Sequence, residues 1–427
     1  MSALISRFTG TFKEKINSED KKRLLSNFIS LSVLQGANYL LPLITLPYLV
    51  RVLGAEKFGL IMFAQAFIMY FVILTDYGFN LSATREISIN RENKEKVSEI
   101  FSSVMTIKFI LLILSFILLS IIIFSINKFK QDWIIYYLTF GMVIGQVLFP
   151  IWFFQGMERM KYITFLNIIS KLIFTISIFI FIHQISDYVY VPLINSLGFI
   201  VAGIIALWII LKEFKLKIYI PTILTLAKYL KDSSQFFLSR VSVSIYTATN
   251  AFILGLLTNN TMVGYYSIAE KLYLALQQVY QPIVNTLYPY VAHKKNVNLY
   301  KKIFRFVSIA NFSFALILFL LAYPLINIIF GEGLEISANI FRILLLSAIV
   351  VVPSILLGYP FLAAMGYPKY ANISVIMGSI LHLIGLGMLL LLNMINVYTV
   401  AIMVVITETF VLCIRIYGVI KNNLWGV

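Results

Sequence analysis

The fold is decided by two apolar segments near the start of the chain, LLSNFISLSVLQGANYLLPLITLPYLV (residues 24–50) and FGLIMFAQAFIMYFVILTDYGFNL (residues 58–81). A short polar stretch, RVLGAEK (residues 51–57), separates them. Each segment exceeds the roughly 20 residues that a helix needs to cross a hydrocarbon core of ~30 Å. The sequence therefore predicts a transmembrane helical hairpin with a loop at 51–57. Its polar side chains are costly in lipid and are expected to face protein or water.

The composition extends this prediction to the whole chain. Hydrophobic residues make up 60% of the 427 positions and charged residues only 12%, whereas soluble domains carry roughly 25% charged residues. Apolar segments recur along the sequence, and we expect twelve spans at about 24–50, 58–81, 100–126, 133–154, 163–182, 190–211, 233–257, 262–291, 303–330, 336–365, 370–392 and 396–420. The predicted class is an all-α polytopic membrane protein.

The basic residues predict the orientation of these spans. The net charge of +16 would suggest nucleic acid as a partner of a soluble protein, but here the charges lie in short loops, and no nucleic acid is expected. With the N-terminus inside, 25 of the 34 Lys and Arg residues, Arg415 among them, fall on the inner side. The outer loops hold only Arg51, Lys57, Lys128 and Lys130. The positive-inside rule therefore predicts that both termini are cytoplasmic.

The second half of the chain repeats features of the first. The pattern at residues 59–67 recurs at 264–272, and Pro150 and Pro360 are each followed six residues later by glycine. Six spans per half give both halves the same orientation, which predicts two parallel six-helix bundles around a central cavity. The expected organisation is an amphipathic cytoplasmic N-terminus (1–23), a first bundle (24–211), a cytoplasmic linker (212–232), a second bundle (233–420) and a cytoplasmic tail (421–427).

Several basic side chains lie inside predicted spans and are candidates for binding an anionic substrate. Lys108, Lys171 and Arg240 are each about eight residues from the start of a helix, which places them at one depth of ~12 Å. Lys271 lies near mid-membrane. A diphosphate would suit such a cavity, because Arg binds phosphate oxygens in a bidentate fork and Lys supplies a mobile charge. Two alternatives stay open: the side chains snorkel to the headgroups, or Lys271 forms an ion pair with another helix.

Carboxylates inside the spans are candidates for binding a coupling cation or a proton, since desolvation raises the pKa of a carboxyl group. These are Glu408, Glu270 and Asp76. Asp76 lies near the end of its helix, where a structural partner such as Arg85 is the competing interpretation. His382 is interpreted as a hydrogen-bonded packing residue.

The sequence carries no motif for a cofactor or for catalysis. A nucleotide-binding loop, a zinc motif and a nucleophile elbow are all missing. No predicted outer loop exceeds about ten residues, which leaves no room for an extracellular catalytic domain. We therefore expect neither a cofactor nor an enzymatic activity, and this counts against a membrane glycan polymerase.

Three motifs resemble the bacterial polysaccharide and O-antigen flippase family. They are LPYLVRVLG (46–54) followed by FG (58–59), DYGFNLSATRE (76–86) and PIWFFQG (150–156). The family belongs to a superfamily that also contains multidrug exporters and lipid II flippases. The resemblance implies a multi-pass protein of the cytoplasmic membrane that moves an undecaprenyl-diphosphate-linked oligosaccharide from the inner to the outer leaflet of the bilayer, coupled to a proton or sodium gradient.

The resemblance also implies partners and leaves an alternative. The glycan polymerase and other assembly proteins are candidate partners beside the phospholipid bilayer itself. A cation-coupled multidrug exporter of the same superfamily is the alternative function. It would need an acidic and apolar cavity, and the excess of cations inside the predicted spans argues against it.

Overall fold

The computed structural model describes residues 19–425, and within them the side chains of 19–35, 37–40, 43 and 238–248 are not described. The predicted surface helix that carries Ile5, Phe8, Phe12 and Ile16 lies outside the described residues. All regular structure in the described chain is helical, and no strand occurs in it. The prediction of an all-α fold is confirmed.

The first half of the described chain forms α1 (Glu19–Asp76), α2 (Phe79–Ile89), α3 (Lys94–Ser125), α4 (Asn127–Gln131), α5 (Trp133–Leu148), α6 (Ile151–Gly156), α7 (Met160–Phe181), a 3-10 turn (Ile185–Val189) and α8 (Tyr190–Glu213). Irregular chain at 214–222, inside the predicted linker, leads to α9. The second half forms α9 (Ile223–Leu257), α10 (Asn260–Gln278), α11 (Gln281–Lys294), α12 (Val297–Leu320), α13 (Ala322–Phe330), α14 (Glu335–Leu356), a π-helical turn (Leu357–Ala363), α15 (Pro368–Leu391) and α16 (Val397–Lys421).

Helix α1 contains both arms of the predicted hairpin. The loop expected at 51–57 is reduced to one non-helical residue, Gly54, with φ 70° and ψ 171°. Glycine adopts such a left-handed φ without the steric cost that a Cβ would bring. The apolar residues Val52 and Leu53 continue the first arm up to the bend, which is why the polar character of 51–57 does not produce an extended loop.

Nine segments of the described chain are long and apolar enough to cross a membrane, which supports a multi-pass membrane protein. The count of twelve stays a prediction. The count covers the described residues only. Residues 24–43 and α9 contain side chains that are not described and add no segment, and the span expected at 262–291 is divided between α10 and α11.

The helices group into two compact units. The first consists of Met1–Leu43, Leu74–Ile180 and Pro192–Phe237, and the second of Ile44–Ile73, Phe181–Val191 and Leu238–Val427. The predicted domain boundaries, with bundles at 24–211 and 233–420, stay a prediction.

The core of the first unit joins two of the motifs that the sequence singles out. Trp152, Phe153 and Phe154 of α6 have no exposed surface, and α6 packs against α2. The hydroxyl of Thr84 donates to the carbonyl oxygen of Trp152 at 3.2 Å. A Cβ at Gly156 would lie 2.6 Å from the Cβ of Ile87, so α2 and α6 approach as closely as glycine allows.

The second unit contains a backbone contact between equivalent positions of the internal repeat. A Cβ at Gly59 of α1 would lie 2.6 Å from the backbone nitrogen of Gly264 of α10, and a Cβ at Gly264 would lie 2.8 Å from the carbonyl carbon of Ala55. Neither position has room for a side chain. The repeat recognised in the sequence therefore forms a close helix crossing at its own glycines.

Candidate functional site

In the first unit, the structure places Lys108 beside Asp76. Lys108 is 4% exposed on α3, and the Asp76 carboxylate attracts its ammonium group. Arg85, the partner considered for Asp76 from the sequence, is exposed on α2. Attraction between opposite charges is stronger in a low-dielectric interior than in water, so the half-buried Asp76 carboxylate partly compensates the charge of the buried Lys108.

The two other cations predicted at the same depth lie on different helices. Lys171 is half-buried on α7 in the first unit, next to the buried Ser170. Arg240 belongs to α9, and its side chain is among those not described. Lys108 is thus influenced by a carboxylate charge, and Lys171 lies on another helix of the same sequence segment, Leu74–Ile180.

In the second unit, Glu270 and Lys271 interact with each other. Glu270 is half-buried on α10, and its carboxylate shares a hydrogen bond with the buried Tyr266 hydroxyl and is attracted by Lys271. Lys271 is exposed. The interhelical ion pair considered for Lys271 stays a prediction.

A hydrogen-bonded network continues from Glu270 across three further helices. The His382 imidazole of α15 is fully buried, with Nε2 2.8 Å from Asn250 Oδ1 and Nδ1 2.9 Å from Thr407 Oγ1. Asn250 in turn hydrogen-bonds with Tyr266. The Thr407 hydroxyl donates to the Met403 carbonyl oxygen at 2.8 Å, so Thr407 Oγ1 accepts from His382 Nδ1–H, and Nε2 of a neutral imidazole accepts from the Asn250 side-chain amide. These contacts agree with the interpretation of His382 as a hydrogen-bonded residue.

The second candidate carboxylate of this unit lies close to the same network. Glu408 is half-buried on α16, next to Thr407. Its charge and that of Glu270 both act on the buried Tyr273, whose hydroxyl is 2.9 Å from Ser347 Oγ. The structure thus brings Glu270 and Glu408 to one buried polar cluster, while Asp76 belongs to the other unit.

One residue assigned to the inner surface from the sequence is buried instead. Arg415 is 7% exposed on α16. Its Nε donates to Ser374 Oγ at 2.9 Å, and its Nη1 donates to the Ser354 carbonyl oxygen at 2.7 Å. The guanidinium group fills the space beside Gly358, where a Cβ would lie 3.1 Å from Nη1. Arg415 therefore fixes the π-helical turn and is not a loop charge.

Asn250, Thr407 and Ser347 also belong to the cluster and were not predicted from the sequence. Each is a polar residue in an apolar segment, which is a usable signal, but serine and threonine inside helices often satisfy themselves on their own backbone. Among the described residues, no group of three His, Cys, Asp or Glu side chains is placed to hold a metal ion.

Comparisons with known proteins place the chain in a family. Residues 24–295 match the family described as polysaccharide biosynthesis protein. A protein of Escherichia coli K12 named "Putative O-antigen transporter" is 32% identical over 74% of this chain and 78% of its own length. A protein of Shigella dysenteriae with the same name is 26% identical over 84% of this chain and 91% of its own length.

Two solved structures share the fold. An inward-facing multidrug resistance MATE family transporter of the MOP superfamily superposes with a TM-score of 0.69 at 13% identity, covering 94% of this chain and 99% of that one. The lipid II flippase MurJ in an inward closed conformation gives 0.67 at 15% identity, covering 94% and 88%.

Proposed function

Because the chain belongs to the polysaccharide biosynthesis protein family, we propose that it is a flippase for lipid-linked oligosaccharides. Its substrate is an O-antigen or capsule repeat unit carried on undecaprenyl diphosphate, moved from the inner to the outer leaflet by alternating access. The relative named for O-antigen transport, 32% identical over 74% of the chain, carries this proposal. Both the family and the relatives are named for biosynthesis or transport of a glycan, and the protein is a transporter rather than an enzyme.

The substrate is held by cations in this proposal. Arg240, Lys271, Lys171 and Lys108 bind the diphosphate and acidic sugars, because phosphate oxygens favour guanidinium and ammonium donors in a low-dielectric site. Lys271 is exposed. Lys108 reaches the substrate in the conformation in which it separates from Asp76, so the interaction of these two side chains links substrate binding to the conformation of the first unit.

Energy for transport comes from an ion gradient through Glu408, Glu270 and Asp76. The support in the second unit is the polar cluster in which both glutamates act on Tyr273. An enclosed, hydrogen-bonded carboxylate can take up a proton or bind a cation, and the local charge changes when it does so. The chain of polar side chains from Glu270 through Tyr266 and Asn250 to His382 spreads that change over three helices.

A cation-coupled multidrug exporter is the alternative, and one observation favours it: the MATE transporter superposes with the higher of the two TM-scores reported above, 0.69. At 13% identity this similarity concerns the fold. The lysines and the arginine proposed for the substrate would repel the cationic drugs that such exporters carry.

The flippase proposal includes a location and partners. The protein lies in the bacterial cytoplasmic membrane with both termini in the cytoplasm, as the distribution of Lys and Arg favours. A glycan polymerase and other assembly proteins receive the translocated unit on the outer side and are the proposed protein partners.

The proposal is tested by deleting the gene in its host and isolating the lipid-linked intermediates. We expect complete undecaprenyl-linked repeat units to accumulate on the inner leaflet. Complementation with Arg240→Ala or Lys271→Ala restores the protein level and not the surface glycan, whereas Lys94→Ala, at an exposed position of α3, restores both. Accumulation of single units on the outer leaflet would identify a polymerase instead, and normal glycan display in both cavity variants would refute the cationic site.

A further inference from the structure

The second unit contains an apolar cavity that the proposed transport cycle does not use. It has a volume of about 380 Å³, within the roughly 300–1,000 Å³ of known ligand sites. Its walls come from α12, α16, the π-helical turn and the chain that follows α16, and they include Phe304, Leu357, Leu412, Ile416, Val419 and Trp425. No charged side chain lines it.

The end of the described chain builds one wall of this cavity. After α16, Leu424 N donates to the Val419 carbonyl oxygen at 3.1 Å, so the chain turns back over the helix. The Trp425 ring then packs edge-on against Tyr300, Phe304 and Phe361, with ring centroids 6.4, 5.3 and 5.1 Å away. An aromatic wall fixed on three sides keeps the cavity open beside it.

A second, cationic cavity adjoins the first and shares Phe304 and Trp425 with it. Its volume is about 240 Å³, and its further lining residues are Lys301, Arg305, Ser308 and Ile309. Lys301, Arg305 and Ser308 follow one another at spacings of four and three residues on α12, so they lie on one helix face. The Lys301 ammonium is 5.8 Å from the Trp425 ring centroid.

The cationic cavity also contains a hydroxyl that points to a ligand. Ser308 Oγ is enclosed and has no hydrogen-bond partner among the described residues. A buried hydroxyl left unpaired is costly, and an oxygen of a bound anion would satisfy it. No carboxylate lines either cavity, so both the charge and the free donor favour an anion.

We propose that the two cavities together bind one anionic phospholipid. Its phosphate lies on Lys301, Arg305 and Ser308, and one acyl chain lies in the apolar cavity behind Phe304 and Trp425. The cations are four and eight residues from the first residue of α12, at ~6 and ~12 Å along the axis, which is the depth at which basic side chains meet lipid headgroups. A free phosphate would leave the apolar cavity without a ligand, and a neutral lipid would leave the cations unpaired.

The test uses the full chain purified in neutral detergent, with phosphatidylglycerol, phosphatidylcholine, undecaprenyl phosphate or inorganic phosphate added. Native mass spectrometry counts bound lipid, and thermal unfolding measures the stabilisation that binding produces. We expect phosphatidylglycerol to be retained and to raise the Tm. Lys301→Ala/Arg305→Ala weakens this binding by roughly tenfold or more, as expected for lost charge-assisted hydrogen bonds.

Two further variants separate the acyl-chain site from the phosphate site. Ile416→Trp keeps both cations and fills the apolar cavity, and it should also lose phosphatidylglycerol. Lys302→Ala removes a cation of the same helix that lines neither cavity, and it should bind like the parent. The proposal is overturned if phosphatidylcholine binds as tightly, if inorganic phosphate alone gives the stabilisation, if undecaprenyl phosphate displaces the phospholipid, or if Lys301→Ala/Arg305→Ala retains it.

Discussion

At the scale of single residues, the pair formed by Lys108 and Asp76 makes the sharpest prediction. Lys108 is 4% exposed, and the Asp76 carboxylate is the charge that attracts it. Removing the Asp76 charge leaves the buried Lys108 ammonium group less compensated and lowers the free energy of unfolding. We expect Asp76→Asn to lower the Tm in detergent, measured by size-exclusion chromatography after heating, and Asp76→Asn/Lys108→Met to recover most of the loss.

Arg85 supplies the matched control for this pair. It is the cation nearest to Asp76 in the next helix and is exposed, so Arg85→Gln should leave the Tm unchanged. A loss in Arg85→Gln as large as that in Asp76→Asn, with no recovery in the double variant, would restore Arg85 as the partner and contradict the structure.

The His382 network gives a second prediction at the same scale. His382→Phe keeps a ring in the buried site and removes the hydrogen-bond partner of Asn250 and of Thr407. Leaving buried polar groups unpaired costs about 1–3 kcal/mol, so the Tm should fall, and His382→Gln should recover part of it because an amide both donates and accepts. His293→Phe, at an exposed end of α11, serves as the control. Equal thermal stability of His382→Phe and the parent would mean that the network adds nothing to the fold.

Residue-scale predictability from the sequence is uneven. The depth of Lys108 and Lys171 follows from counting along a helix, and the presence of carboxylates in apolar spans is visible at once. The proximity of a particular cation to a particular carboxylate depends on how helices such as α1 and α3 pack. A local sequence pattern does not predict that packing. Arg415 shows the same limit: the distribution of Lys and Arg assigned it to the inner side, while its hydrogen bonds to Ser354 and Ser374 come from two other helices.

At the scale of elements, the crossing of α1 and α10 predicts a strict requirement for glycine. A Cβ at Gly264 would overlap the carbonyl group of Ala55, and overpacking of this kind costs about 1–3 kcal/mol or more. We expect Gly264→Ala to lower the Tm and the yield of folded protein. Gly387→Ala on α15, where nothing lies within 4 Å of the new Cβ, should be neutral or gain up to ~1 kcal/mol from helix propensity. Equal behaviour of the two variants would contradict the close crossing.

Element positions were largely predictable because apolar length is a strong signal, but the breaks inside elements were not. The span expected at 336–365 holds Pro353, Gly358 and Pro360, which indicate an interruption. The form of that interruption, a π-helical turn with ψ −115° at Gly358, depends on the Arg415 side chain from α16. The form of the bend in α1 was also not predicted. A loop of seven residues was expected, and the structure has one non-helical residue, Gly54, in its place.

At the scale of the whole molecule, the internal repeat stays a prediction, and one contact agrees with it. Residues 59–67 and 264–272 share the glycine that begins each segment and one alanine, Ala64 and Ala269, and the two glycines meet in the second unit. The chemistry of the two segments differs, because Glu270 lies at the position that Gln65 holds in the first segment, and Glu270 belongs to the polar cluster described above.

The topology of the whole chain makes the last prediction, which separates twelve alternating spans from any arrangement with fewer. Cys413 is the single cysteine, so Cys413→Ser gives a background into which one cysteine at a time is introduced at an exposed position. With both termini inside, Lys130→Cys and Glu332→Cys lie in outer loops, and Lys94→Cys and Lys295→Cys lie in inner ones. A membrane-impermeant maleimide should label the first two in intact cells and the second two only after lysis. One predicted span separates Lys130 from Lys94, and one separates Glu332 from Lys295. Labelling of both members of either pair from outside would therefore remove that span from the twelve. It would also reverse the orientation of every span beyond it.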